Sequence, residues 1–281
     1  MPDEHPNKHP LAPLEKLLAC PNCRAALEPR PDQLVCGVCK SVYPIREGIP
    51  LLALMDEPEP EVKTHQGPTR TSYQQEYQQV DAATEYNTKY EREMLKRWST
   101  RREYQLLNRL LASQPRSHTL LELPCGGGRL SPAMAPYTDL LIESDVALGQ
   151  LQYGRAHTNS KTPQLWLTAS ALRIPFRDAS LDGVVCIRLC HHLPHAAERE
   201  RLVAELLRVA RRFVIVTFFD FHSPKNVLRR VRRPFDGKRP KYTMTRDEVR
   251  HIAASQGARV AACPALSWLG SGHRYALLVK S

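Results

Sequence analysis

The chain of 281 residues lacks any long apolar run, and its start, Met1-Pro-Asp-Glu-His-Pro6, is polar and proline-rich, without the hydrophobic stretch of a secretory leader. A membrane-crossing helix needs about 20 predominantly apolar residues. Neither a spanning nor an exported protein is therefore expected. The dinucleotide fingerprint G-x-G-x-x-G is also missing. Eight cysteines are present, but Cys125, Cys186, Cys190 and Cys263 sit in or beside apolar runs, where a reduced thiol acts as a small hydrophobe. A reducing cytoplasm fits such usage better than a disulfide framework. The length accommodates one full-size domain and a small one.

The other four cysteines form two C-x-x-C pairs, Cys20/Cys23 and Cys36/Cys39, separated by a dozen residues. Four thiolates in two close pairs supply the closed tetrahedral shell of structural zinc and leave no position open for a catalytic water. Disulfide pairing is the alternative. The surrounding segment, about residues 1–55, is too small to fold on apolar burial alone, so its metal is expected to carry its stability. Residues 56–71 are acidic and proline-rich at first, Asp56-Glu-Pro-Glu-Pro-Glu61, and read as a linker.

The most telling stretch is Leu120-Leu-Glu122-Leu-Pro124-Cys125-Gly126-Gly127-Gly128. An apolar run suited to a buried parallel strand ends in three glycines, which allow a tight turn and close approach of a ligand to main-chain N–H groups. A second run, Leu140–Ile142, ends in Glu143-Ser144-Asp145. A glycine loop after one strand and a carboxylate after the next is the layout of a doubly wound nucleotide site, with the acid placed to accept ribose hydroxyls.

These residues resemble the first motif of class I S-adenosylmethionine-dependent methyltransferases, acid-x-Gly-x-Gly-x-Gly. Glu122 stands at the acid, Pro124 in place of the first glycine, and Gly126 and Gly128 at the other two. The resemblance continues through Asp145–Leu151, through Ala171–Val185 with its Pro175-Phe176 and Asp182, and through Cys186–Leu193. It implies S-adenosylmethionine held by Glu122, Pro124, Cys125, Gly126, Gly128, Asp145, Val146, Ser170, Ala171, Ile187 and Arg188. Ser170 stands where the family often has an acid for the adenine amine. Leu17–Cys23 and Tyr43–Leu52 resemble the small zinc-ribbon proteins that activate tRNA, rRNA and protein methyltransferases, here fused in front of an enzyme. Bacterial rRNA guanine methyltransferases also carry an N-terminal ribbon.

A methyltransferase domain is expected over residues 72–281, with 72–113 as a helical lid bearing Tyr73, Tyr77, Tyr86 and Tyr90. Those tyrosines serve equally well to pack the helices on the sheet. Strands are expected at 120–123, 140–142, 165–167, 184–187, 213–218, 260–262 and 275–279, alternating with helices. Thr245-Arg-Asp-Glu248 is a capping box with Met244 and Val249 as staple. The fold class is α/β: a doubly wound, mostly parallel, seven-stranded Rossmann-like sheet with a small N-terminal zinc ribbon.

The net charge is +11, yet residues 1–70 hold eight basic and ten acidic side chains, so the remainder holds 32 against 19, or +13. Eight of those bases, Lys225, Arg229, Arg230, Arg232, Arg233, Lys238, Arg239 and Lys241, lie within 222–241 beside one acid. A polyanionic partner suits them, either RNA or an anionic lipid or glycolipid. A solvated basic loop is the plain alternative.

Methyl transfer is mainly a matter of positioning, sometimes with proton removal. Arg188, His191 and His222 are the candidates for a catalytic part. No Asn-Pro-Pro-Tyr motif points to nucleobase amines, and Cys186 and Cys190 are not arranged for carbon-5 pyrimidine chemistry. RNA ranks slightly ahead of a small molecule or lipid as acceptor. A catalytically silent cofactor-binding scaffold is the competing class.

Overall fold

The computed structural model describes residues 11, 13–53, 84, 94–236, 241–267 and 270–280. The expected linker at 56–71 and the four tyrosines of the expected lid lie outside the described residues. Near the N-terminus β1 (Leu27–Arg30), β2 (Gln33–Cys36), β3 (Val42–Arg46) and β4 (Ile49–Pro50) form an antiparallel sheet in sequence order. Each cysteine pair closes a turn of the same kind. Arg24 N–H bonds to Cys20 O and Lys40 N–H to Cys36 O, and both Arg24 and Lys40 adopt positive φ.

The rest of the chain builds α1 (Met94–Ala112), β5 (Ser117–Glu122), α2 (Ser131–Met134), β6 (Thr138–Asp145), α3 (Leu148–His157) and β7 (Gln164–Thr168). It continues with β8 (Leu181–Cys186), α4 (Ala196–Val209), β9 (Ala210–Asp220), α5 (Pro224–Asp236), β10 (Thr243–Met244), α6 (Arg246–Ser255), β11 (Ala258–Ala262) and β12 (His273–Lys280). The sheet order is β11-β12-β9-β8-β5-β6-β7, with β10 paired to β9. β7, β6, β5, β8 and β9 are parallel, and β12 runs antiparallel between β9 and β11. Every residue of β8 is buried, as a strand covered on both faces requires. The seven expected strands are all present. β10 adds an eighth that is too short to leave a periodic signal.

Strand order reverses at β5, between β6 and β8, so the crevice at their carboxyl ends is where such folds place ligands. One face of the sheet packs Leu107, Leu110, Met134 and Tyr275. The other packs Leu202, Leu206, Val249 and Ile252 from α4 and α6. Both sides of the Thr245/Glu248 capping box are made, with Met244 and Val249 buried beside it. α4 passes straight into β9, and Arg212 there bonds Pro115 O, Arg116 O and the Ser117 hydroxyl.

The N-terminal unit shares its core with the large sheet. Leu14, Leu18, Leu34 and Tyr43 belong to one apolar cluster with Leu172, Phe176 and Leu206. Leu18 bridges Phe176, and Leu51 bridges Thr168 at the end of the edge strand β7. Arg24, just past the first cysteine pair, ion-pairs with Glu205 on α4 at 2.8 Å. Apolar burial against the body thus helps to hold this unit, a contribution that local sequence reasoning did not supply. No helix among the described residues is long and apolar enough to cross a membrane.

Candidate functional site

The four cysteine sulfurs converge, all lying within 4.8 Å of one another. Cys20 to Cys39 is 3.6 Å and Cys23 to Cys36 is 3.4 Å, far beyond a disulfide bond of about 2.05 Å. Ligands about 2.3 Å from a tetrahedral zinc would be spaced in this range. The donor set fits that ion and offers no carboxylate or histidine for a harder one. Cys20 also contacts the Tyr43 hydroxyl, and Cys39 the Ser41 hydroxyl, each at 3.1 Å.

At the carboxyl edge of the large sheet, Glu122, Pro124, Cys125, Gly126, Gly128, Asp145, Val146, Ser170, Ala171, Ile187 and Arg188 are brought to the ends of four adjacent strands, β7, β6, β5 and β8. Gly126 and Gly128 have φ of +55° and +73°, a conformation that costs other residues dearly. A Cβ on Gly128 would lie 2.7 Å from Thr158 Oγ1, whereas the nearest atom to one on Gly126 is Gln150 Oε1 at 4.0 Å. The loop is therefore packed beneath Gly128 and open beside Gly126. Gly154 on α3 lets the helix approach the loop, since its Cβ would lie 3.1 Å from Gly127 C. Nothing in the motif spacing points to Gly154.

Asp145 is fully buried and anchors the loop: Gly126 N–H donates to Oδ2 and Ala147 N–H to Oδ1, both at 3.0 Å. A ligand hydroxyl must therefore use the lone pairs these bonds leave. Burial outweighs the N–H groups and raises the carboxyl to about 6. Glu122 lies below the loop, opposite Glu143 in the β5–β6 register, and both are buried. Burial first, then the Glu143 charge, push Glu122 well above the carboxylate range, so it is a neutral support rather than a charged partner for an ammonium group. Burial likewise raises Glu143 to about 7, against neighbours that include Gln164, whose Nε2 donates to Oε1 at 3.3 Å.

A raised carboxyl of this kind stabilises the fold while protonated. As pH climbs, the unfolded chain ionises first, and stability is lost between about 4.5 and about 7 for Glu143. Glu143→Gln keeps the side chain neutral. It is expected to gain on the order of 1–3 kcal/mol at pH 8 and little at pH 4.5. Urea unfolding at the two pH values checks this, and an equal change at both would refute it.

Arg188 takes positive φ, and its N–H donates to Thr217 Oγ1 at 2.7 Å. Its guanidinium meets Glu103 Oε1 at 2.6 Å, while Arg129 meets Oε2 at 2.7 Å and the Tyr275 hydroxyl meets Oε1 at 3.1 Å. Glu103 is fully buried on α1. Burial pushes its carboxyl up, but the charges of Arg129 and Arg188 prevail and hold it below the usual value. This hub pins α1 across the glycine loop and the β8 exit. Sequence reasoning missed Glu103, Arg129 and Tyr275, because no local pattern links positions so far apart.

His191 is buried against Phe219 at 4.2 Å, with His273 edge-on at 5.1 Å, and its Nδ1 has no hydrogen-bond partner. Burial drives its basicity far down, so the ring is neutral and a poor proton acceptor. His222 is exposed on the turn after β9, against Phe221. Ser170 Oγ accepts from Leu172 N–H at 3.3 Å, and Ala171 is buried beside it. Just before them, Thr168 receives Leu52 N–H and Ala53 N–H, so the N-terminal unit borders the same edge. The basic run 222–241 is mostly the helix α5 rather than a loop, with Arg233 on it and Lys241 leading into β10. Lys238 and Arg239 lie outside the described residues.

Residues 121–218 match the methyltransferase domain family, and residues 14–48 match the Trm112p-like protein family. An O-methyltransferase of Aspergillus nomiae, rstn1, is 30% identical over 114 residues, covering 38% of this chain and 49% of that protein. The 27-O-demethylrifamycin SV methyltransferase of Amycolatopsis mediterranei is 27% identical over 110 residues, covering 37% and 40%. The chain thus spans about half the length of the curated relatives it matches. Among solved structures, magnesium protoporphyrin IX methyltransferase from Synechocystis with bound S-adenosylhomocysteine superposes with TM-score 0.63 at 18% identity, over 76% of this chain and 100% of that one. The complex of the Haloferax volcanii Trm112 activator with a methyltransferase gives TM-score 0.53 at 15% identity, over 71% and 96%. With both segments matched in the order the motifs imply, the chain carries a Trm112p-like segment ahead of a methyltransferase domain.

Proposed function

We propose that the chain transfers a methyl group from S-adenosylmethionine to a small organic or lipid-soluble acceptor, and that Cys20, Cys23, Cys36 and Cys39 hold one structural zinc. The observation that carries the cofactor reading is the open side of Gly126, a cradle that a side chain would fill, on a loop otherwise close-packed and tied to Asp145. S-adenosylmethionine supplies the methyl on an electrophilic sulfonium. The chain's own part is to position and to exclude water. Gly126 and Gly128 shape the main-chain cradle, Asp145 sets it and offers its remaining lone pairs to ribose hydroxyls, and Val146 and Ser170 border the adenine side. Glu103 fixes Arg188 and Arg129, leaving one net positive charge near the expected carboxylate of the methionine end.

Charge alone favours RNA as acceptor, in keeping with the basic run and with the Trm112p-like segment. The wall beyond Ile187 favours the small-molecule reading. It is made of neutral aromatic rings, His191, Phe219 and His273, with burial keeping His273 down to about 3. Of the two curated relatives named above, the second acts on a small molecule by its name, 27-O-demethylrifamycin SV.

Incubation of purified protein with tritiated S-adenosylmethionine and fractionated lysate is expected to label the organic phase. Label in RNA instead would overturn the acceptor reading. Absence of both labelling and cofactor binding by calorimetry would overturn the methyltransferase reading.

A further inference from the structure

α5 is amphipathic the wrong way round for a helix of a water-soluble body. Its polar Asn226 faces inward, 1% exposed, donating to Asp220 O at 2.9 Å and Gly272 O at 3.2 Å. A Cβ on Gly272 would lie 2.4 Å from Asn226, so the anchor depends on that glycine. Arg229 adds a stacking contact, 4.8 Å over Phe219. Val231 lies one helical turn beyond the adjacent Val227 and Leu228, and the three form a single stripe, 42%, 54% and 64% exposed for Val227, Leu228 and Val231 in turn. At about 100° per residue, Val231 lies roughly 140° round the axis from Asn226, so the stripe looks away from the protein. Arg230 and Arg232 stand on either side of it, and both are exposed. Phe221, 39% exposed, extends the apolar strip beneath the Arg230 guanidinium at 3.8 Å. Four of the six large apolar side chains exposed among the described residues fall within these eleven positions.

We propose that α5 is an interfacial helix that seats the protein on an anionic lipid bilayer, with Phe221, Val227, Leu228 and Val231 entering the headgroup–acyl boundary while Lys225, Arg230 and Arg232 meet lipid phosphates. An outward apolar stripe flanked by cations complements both parts of such a surface. RNA phosphates would engage the arginines and leave the stripe in water. Its position supports the assignment: α5 follows β9 directly, and Phe219, under Arg229, packs on His191 and His273 beside the β8 exit. Membrane docking would therefore bring that exit close to lipid. The proposal concerns where the protein sits, and it stands or falls separately from methyl transfer.

Flotation of the full chain with vesicles of phosphatidylcholine and phosphatidylglycerol, 3:1, and of phosphatidylcholine alone, tests it. The protein is expected to float with the acidic vesicles only, and release by salt is expected because the attraction is screened. L228E/V231E should lower vesicle affinity at least tenfold. R230Q/R232Q should lower it several-fold and blunt the salt response. All four positions face water, so the melting temperature and S-adenosylmethionine affinity should match the parent, which separates lost docking from lost fold. The proposal is overturned if the parent ignores acidic vesicles, or if L228E/V231E binds them as well as the parent. It is equally overturned if bulk tRNA at physiological salt binds more tightly than vesicles and depends only on the arginines, or if the stripe proves to hold a dimer that L228E/V231E dissociates.

Discussion

Cys36→Ser is expected to reduce bound zinc from one equivalent per chain to a small fraction and to lower the melting temperature sharply. Cys36 is fully buried at the end of β2, and its sulfur is one of four within 4.8 Å. Serine cannot supply the thiolate that a soft tetrahedral site requires, and structural zinc contributes roughly 10–16 kcal/mol in small ribbons. The damage should extend into the large sheet. Leu18 and Tyr43 share a core with Phe176, and Leu52 and Ala53 bond to Thr168 two residues before Ser170. Affinity for S-adenosylmethionine is accordingly expected to fall several-fold, although the ribbon touches the cofactor loops only from the side. Metal analysis, thermal melting and calorimetry measure the three effects. Less than half an equivalent of zinc in the freshly reduced parent would refute the metal assignment. A variant with unchanged cofactor affinity would refute the link between ribbon and site.

Asp145→Ala is expected to weaken S-adenosylmethionine binding by tenfold or more, and Gly126→Val to abolish it. Removing the Asp145 carboxylate strips the acceptor from Gly126 N–H and Ala147 N–H together. Each buried donor left unsatisfied costs about 1–3 kcal/mol, and about 1.4 kcal/mol already amounts to tenfold. The loop would relax, and any ribose hydroxyl would lose its acceptor as well. Asp145→Asn retains one oxygen acceptor and should fall between parent and alanine. Valine at 126 would have to adopt φ near +55° and would fill the open side of the cradle. Because the nearest atom to that Cβ is 4.0 Å away, the fold itself should persist. Calorimetry with circular dichroism separates lost binding from lost structure. Full affinity in both variants would mean that the cofactor lies elsewhere.

Short-range patterns account for what was legible in the sequence. The apolar runs at 120–123 and 184–187 mark central strands because both faces of such strands are covered. Thr245 and Glu248 mark the start of α6 because a capping box is closed within one turn. The cysteine pairs declare a four-sulfur site because C-x-x-C brings two thiols together in a single turn, whatever surrounds it. The strand-loop rhythm sets Gly126, Gly128 and Asp145 just after neighbouring strands and the resemblance adds Glu122; in the structure the glycine loop is tied to Asp145, with Glu122 at the end of β5.

Other features arise only when distant segments meet. Glu122 opposes Glu143 through strand register: burial and then the Glu143 charge push Glu122 well up, while burial raises Glu143 to about 7. Glu103 gathers Arg129, Arg188 and Tyr275 across 26, 85 and 172 positions, separations over which composition carries no signal. The tandem arginines of 229–233 announced positive charge, but a run of charge has no inside or outside. Asn226, held under Gly272, decides which face of α5 turns inward and so leaves Val227, Leu228 and Val231 to the solvent. The sequence determined the fold class, the cysteine cluster and the glycine loop, because each is encoded within a few residues. The protonation of the buried acids, the hub that spans the site and the outward apolar face were decided by tertiary structure, because each depends on the neighbours that folding supplies.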